Sequence, residues 1–166
     1  MAIRKVGVIG AGQMGSGIAH VVALAGYDVA LNDIAKEAVD RALSTIDRNM
    51  DRQVGRGLIT EADKRTALKR ISYAPDFDAL ADCDLVIEAA TEDESVKRKI
   101  FTELCPKLKP ETIIASNTSS ISITRLASIT KRPEHFIGMH FMNPVPVMQL
   151  VELIRGIATE DDTFAT

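Results

Sequence analysis

Short apolar, β-branched runs alternate along this chain with longer stretches whose apolar residues recur at helical spacing. That alternation is the pattern of a parallel sheet covered by helices. Val6 to Ile9 is the first strand, apolar and β-branched apart from Gly7. Glycines follow at once, then Met14, Ile18, Val21, Val22 and Leu24 on a helical stripe, with Gly26 placed to end the helix. Val29 to Leu31 reads as the second strand and leads to Asp33, completing one strand–helix–strand unit.

A long amphipathic helix comes next, with Val39, Ala42, Leu43, Ile46 and Met50 on its apolar stripe. It stops near Gly55 and Gly57. Thr60, with Asp63 three residues on, has the form of an N-cap opening another helix that ends around Arg70. Leu85 to Ile87 is a buried strand, and Val96, Ile100, Leu104 and Leu108 mark the following helix. A strand over Thr112 to Ala115 precedes a short helix carrying Ile123, Leu126 and Ala127. Phe136 to Phe141 and Gln149 to Ile154 are the last strand-like runs. Glu160 to Thr166 reads as the first turn of a helix, its acids suited to an N-terminus, with no later turn to bury Phe164. The expectation is a domain that continues beyond this point.

Composition narrows the classes. At 166 residues, 46% apolar and 26% charged, the chain suits one compact globular domain. A net charge of −3 argues against a nucleic-acid partner. No apolar run approaches the ~20 residues that cross a membrane, and the first residues enter a strand pattern with no room for a signal peptide. Cys83 and Cys105 form neither a CxxC nor a metal-like spacing, which fits a reducing compartment. The expected location is cytoplasmic, with neither nucleic acid nor membrane as partner.

Gly10-Ala11-Gly12-Gln13-Met14-Gly15 is a GxGxxG lying between a predicted strand and a predicted helix, the context that a dinucleotide site requires. Gly10 permits the tight turn, Gly12 lets backbone approach a pyrophosphate, and Gly15 lets helix and strand pack closely. The pyrophosphate meets the positive end of the helix. Asp33, about 20 residues on, is placed to accept hydrogen bonds from the adenosine ribose and to repel the extra phosphate of NADP, which favours NAD. Capping of the helix beginning near Ala35 is a second, compatible duty.

Gly138-Met139-His140-Phe141-Met142-Asn143-Pro144 sets a histidine at a strand end, where open α/β sheets build their sites. Histidine titrates near neutral pH and serves as a general base. Glu152 interrupts the apolar run Leu150 to Ile154. If the last two runs fold back about Pro146, residue 140 falls opposite residue 152, and the carboxylate can orient and support the imidazole. The bland alternative is an edge-strand glutamate facing water.

Ser116-Asn117-Thr118-Ser119-Ser120, the run from Gly138 to Met148, and Leu150-Val151-Glu152 together resemble the N-terminal domain of the 3-hydroxyacyl-CoA dehydrogenase family, closest to its bacterial 3-hydroxybutyryl-CoA members. The likeness covers the whole chain. One departure is Met142, where the usual pattern has a second phenylalanine. The resemblance implies an α/β fold, a Rossmann-type, doubly wound, mostly parallel sheet with a helical arm inserted after the second strand. It implies that residues 1–166 form the NAD-binding domain. The family's all-helical second domain, which supplies most of a homodimer interface and another active-site asparagine, falls outside them.

The site residues follow position by position from the same resemblance. His140 matches the catalytic base, Glu152 its orienting acid and Ser119 a serine that touches substrate and cofactor. Gly10, Gly12, Gln13, Met14, Gly15, Asp33, Asn117 and Asn143 match cofactor-binding positions, and Glu92 and Lys97 match positions lining the NAD site. Asn49, Arg52 and Arg56 match positions along the arm where coenzyme A lies. Arg41 and Arg48 continue their helical face, with Asp47 and Asp51 beside it, a pattern that by itself reads as a solvated, salt-bridged surface. The implied reaction is NAD-dependent interconversion of 3-hydroxyacyl-CoA and 3-oxoacyl-CoA. Three alternatives remain at this stage: a dehydrogenase for small hydroxy acids or glycerol phosphate, a piece of a multifunctional β-oxidation protein, and a non-catalytic NAD-binding module.

Overall fold

The computed structural model describes residues 1–166. Seven strands make one sheet: β1 (Lys5–Ile9), β2 (Asp28–Asn32), β3 (Ile71–Ala74), β4 (Leu85–Glu88), β5 (Ile113–Ser116), β6 (Phe136–Phe141) and β7 (Val151–Arg155). Their order is β3-β2-β1-β4-β5-β6-β7. The first six are parallel, and β7 closes one edge antiparallel to β6. The chain reverses its direction of travel across the sheet between β1 and β4, the switch point where open α/β sheets form a ligand crevice.

Helices cover both faces: α1 (Gln13–Leu24), α2 (Lys36–Gly55), α3 (Glu61–Arg70), α4 (Glu94–Leu104), α5 (Ile123–Ala127) and α6 (Asp161–Ala165). On one face Val6, Val8, Leu31 and Ile87 pack against Ile18 of α1 and Ile46 and Met50 of α2. On the other, Ile9, Val86 and Ile114 meet Phe101, Leu104 and Leu126. Phe101 and Phe136 stack edge to face at 5.1 Å. β4 and β5 are buried along their whole length, which explains their continuous apolar sequence. Each large side chain so enclosed contributes roughly 1.5–3 kcal/mol.

The arm expected after the second strand is α2 followed by α3. Thr60 and Asp63 form a reciprocal capping box: the Thr60 hydroxyl accepts from the Asp63 N–H at 3.0 Å, and the Asp63 carboxylate from the Thr60 N–H at 2.9 Å. Beside the arm, α1 lies directly on the turn between β6 and β7. A Cβ added at Gly17 would come within 2.8 Å of the Val145 side chain.

Several expectations need correction. β3 was not predicted, because the chain passes from Arg70 to Ile71 with no glycine or proline between helix and strand. α4 ends at Leu104 and gives way to a single tighter turn, Cys105–Lys107, at Pro106. β7 starts at Val151 rather than Gln149. Phe164 is exposed, as expected, with only the Arg155 guanidinium over its ring at 5.2 Å. Burial pushes the thiols of Cys83 and Cys105 up to about 11, leaving them inert. No helix is long and apolar enough to cross a membrane.

Candidate functional site

The glycine loop leaves β1 at its carboxyl end. Gly10 has φ +99°, and a Cβ there would lie 2.6 Å from the Ala89 carbonyl oxygen. At Gly15 the clash is worse, since a Cβ would fall 1.6 Å from the Gly10 oxygen. Gly12 differs: nothing stands within 4 Å of its absent Cβ. That open space adjoins the first turn of α1, whose N–H groups carry no acidic side chain and no side-chain cap. Uncompensated donors beside space that no protein atom fills suit a pyrophosphate.

Asp33 sits just past β2 and ties the region together. Its two oxygens accept from the N–H of Ala11 at 2.8 Å and of Ala35 at 3.0 Å. Both duties expected of it are therefore geometrically compatible, since it borders the open groove while bracing the start of α2. Ile34, Phe77, Val96 and Ile100 give that groove an apolar lining suited to a flat aromatic base.

Further along the same edge, Met14, Glu92, Asn117, Ser119, His140 and Asn143 line one pocket. They come from four separate stretches of chain and converge because each lies at or just past the carboxyl end of a strand or opens α1. Asn117 accepts the Phe141 N–H at 2.8 Å, which pins the strand beside His140. Glu92 holds Ser119 twice, accepting its N–H at 2.9 Å and its hydroxyl at 3.0 Å, and also accepts from Thr118. Burial raises the Glu92 carboxyl, but the hydroxyl and N–H donors of Thr118 and Ser119 outweigh it and keep the group ionised below its ordinary range.

β6 and β7 pair in the register expected from folding about Pro146, with His140 directly opposite Glu152. The imidazole Nδ1 lies 3.4 Å from the Glu152 carboxylate, a loose contact. His140 is largely enclosed, at 23% exposure, whereas Glu152 is half open to solvent on the edge strand. Glu152 is thus both an edge-strand acid and a partner of the histidine.

Lys97 departs from expectation. It does not border the open groove but is completely enclosed, its Nζ 2.8 Å from both carboxylate oxygens of Glu88. Glu88, equally enclosed, was missed in the sequence. Its signal was an acid ending an all-apolar strand with a lysine nine residues on.

The arginine stripe of α2 is divided. Asn49, Arg52 and Arg56 line a groove shared with Phe141, Val147 and Met148 of the β6–β7 hairpin. Arg41 instead borders the glycine loop beside Asp33. Lys64 of α3 bridges both Asp47 and Asp51, so the acids flanking the stripe are already neutralised. No group of histidines, cysteines and carboxylates has the makings of a metal site.

Comparisons with known proteins agree with this geometry. Residues 5–166 match the family model described as 3-hydroxyacyl-CoA dehydrogenase, NAD binding domain. The 3-hydroxybutyryl-CoA dehydrogenase of Bradyrhizobium diazoefficiens is 66% identical over 98% of this chain, which spans 55% of that protein. The crystal structure of (S)-3-hydroxybutyryl-CoA dehydrogenase PaaH1 from Ralstonia eutropha superposes with a TM-score of 0.96 at 51% identity, covering 99% of this chain and 58% of that one. The structure of FadB2 from M. tuberculosis gives 0.95 at 44% identity, over 99% and 58%. The chain thus spans little more than half the length of these relatives. It belongs to the 3-hydroxyacyl-CoA dehydrogenase family and forms that family's NAD-binding domain.

Proposed function

We propose that this domain serves an NAD-dependent dehydrogenase that interconverts 3-hydroxyacyl-CoA, with 3-hydroxybutyryl-CoA the favoured substrate, and 3-oxoacyl-CoA. One observation carries the reading: an enclosed histidine, backed by a carboxylate, opens into the same pocket as Ser119, Asn143 and the first turn of the glycine-loop helix.

With Nδ1 turned to Glu152, Nε2 is the nitrogen left to remove the substrate's hydroxyl proton. Glu152 fixes the tautomer and supports the imidazolium that forms, tightening its 3.4 Å contact as charge develops. Ser119 donates its hydroxyl to Glu92 and keeps its oxygen lone pairs for the substrate hydroxyl, positioning it against His140. Gly12, Gln13 and Met14 hold the pyrophosphate, Asp33 the adenosine ribose, and Asn117 and Asn143 flank the nicotinamide. NAD held there would supply the acceptor for the C3 hydride. The phosphates of coenzyme A lie along α2 against Arg52 and Arg56, with Asn49 alongside. Phe141 borders both their groove and the pocket of His140, and so gives an acyl chain a route from one to the other.

Relatives of this length class carry nearly as much chain again. We assign to that portion the homodimer contact and the closing of the substrate pocket. A chain of residues 1–166 alone binds NADH and turns over slowly. The test follows NADH oxidation by its near-ultraviolet absorbance with acetoacetyl-CoA, on the full-length protein and its His140→Ala form, alongside calorimetric titration with NADH. Turnover lost by about 10³-fold or more with NADH affinity kept is the expected result for a missing general base. Equal turnover in the two forms rejects His140 as the base. A chain that binds NADH and reduces no acyl-CoA is instead a binding module.

A further inference from the structure

The most heavily engaged group in the molecule lies underneath the site. Glu88, Lys97 and Ser116 are each fully buried. One Glu88 oxygen accepts from the Ser116 hydroxyl at 2.7 Å, the other from the Ala90 N–H at 2.7 Å, and Lys97 donates to both at 2.8 Å. A desolvated ion pair is a poor source of stability, because well-packed apolar residues of like volume often do as well or better. Its position suggests another use. Glu88 ends β4 beside Ile9 of β1, at the switch point of the sheet.

From that point its bonds reach two residues that line the reaction pocket, Ala90 and Asn117. The Ala90 N–H anchors the loop that runs to Glu92, which in turn holds Ser119. The backbone carbonyl of Glu88 accepts from the Asn117 N–H at 2.8 Å, and Asn117 pins Phe141 beside His140. The Ala89 carbonyl is the group packed against Gly10. The side chain thus holds the Ala90 N–H of the loop after β4 and the Ser116 hydroxyl at the end of β5, and its counter-ion comes from α4, the helix that starts just past Glu92.

Resting on the NAD reading above, we propose that Glu88 is a positioning residue, with Lys97 as its internal counter-charge. It sets the Ala89–Glu92 loop, and with it Glu92 and Ser119, for the nicotinamide half of the cofactor. The adenosine half rests on Asp33, Ile34 and Phe77 and meets the loop only along one border, at Ala89, Ala90 and Thr91, so it depends on Glu88 less.

The test compares two paired variants of the full-length protein, each free of a lone buried charge. In Glu88→Leu with Lys97→Met the acceptor for Ala90 is gone. In Glu88→Gln with Lys97→Met the shape and one acceptor remain. Affinities for NADH and for ADP, which lacks the nicotinamide half, are measured by calorimetry.

The leucine pair is expected to lose about tenfold or more in NADH affinity and a clearly smaller factor in ADP affinity. The glutamine pair is expected to recover most of the NADH loss. Equal losses for NADH and ADP, or none for either, overturn the proposal while leaving the cofactor reading intact. Failure of the unaltered protein to bind either nucleotide overturns both.

Hydrogen exchange on the unaltered protein gives a reading that survives any failure of the leucine pair to fold. The Ala90 amide is expected to be protected before nucleotide is added. Free exchange in the nucleotide-free protein overturns the proposal.

Discussion

Gly12 and Gly15 lie three residues apart in one motif and face opposite physical situations. The space at Gly12 is open, whereas a Cβ at Gly15 would run into the Gly10 carbonyl. Gly12→Ala is therefore expected to leave the melting temperature within a degree or two and to weaken NADH binding about tenfold or more by filling the pyrophosphate cradle. Gly15→Ala is expected to destabilise by several kcal/mol, since backbone must move to admit the methyl group. Thermal melts and NADH titrations of the two variants distinguish these outcomes. Residues like these were legible because their roles follow from local geometry that the motif itself encodes. From the residues alone, short of the family resemblance, Glu152 was legible only through a register assumption that β6 and β7 happen to obey. The clasp of Glu92 on Ser119 was not legible. It joins residues 27 apart through a loop whose path no periodicity records.

Among the elements, α2 shows how a sequence pattern can be right in period and incomplete in meaning. Its apolar stripe, with Val39, Ala42, Ile46 and Met50 buried, was plain in the spacing. Its arginine face looked like a self-neutralised surface until α3 delivered Lys64 between Asp47 and Asp51. Arg52→Ala with Arg56→Ala is expected to weaken coenzyme A binding by about five- to twentyfold at low salt, with the deficit shrinking as salt rises and NADH affinity unchanged. Titrations with coenzyme A at two ionic strengths read the effect directly. β3 was illegible for a different reason. Four residues with two facing solvent make too short a signal, and the strand exists because β2 offers an edge to pair with.

At the scale of the whole molecule, stability carries a signature from a group outside the site. His20 of α1 is fully buried, its Nε2 2.8 Å from the Gln53 amide oxygen and its Nδ1 without a partner. Burial lowers its pKa from the ordinary 6.5, an effect that the bond to Gln53 only partly offsets. The folded state thus binds this proton less readily than the unfolded chain does. The stability so conferred is whole above pH 6.5 and is lost as the pH falls below that value toward the lowered folded pKa. Melting temperature is expected to drop by a few degrees between neutral pH and about pH 5. His20→Gln is expected to flatten that slope, whatever it does to the plateau. A slope unchanged in the variant assigns the acid sensitivity to other groups.

The contact between Gly17 and Val145 has a consequence for energetics. The helix opened by the glycine loop rests on the turn joining the strand of His140 to the strand of Glu152, with no side chain to cushion the two. Were ligand-driven settling of one side passed to the other through that seam, thermodynamic linkage would make the exchange symmetrical. By whatever factor a dinucleotide at the helix sharpened the hold of the hairpin on a second ligand, that ligand would sharpen the hold of the helix on the dinucleotide to the same degree.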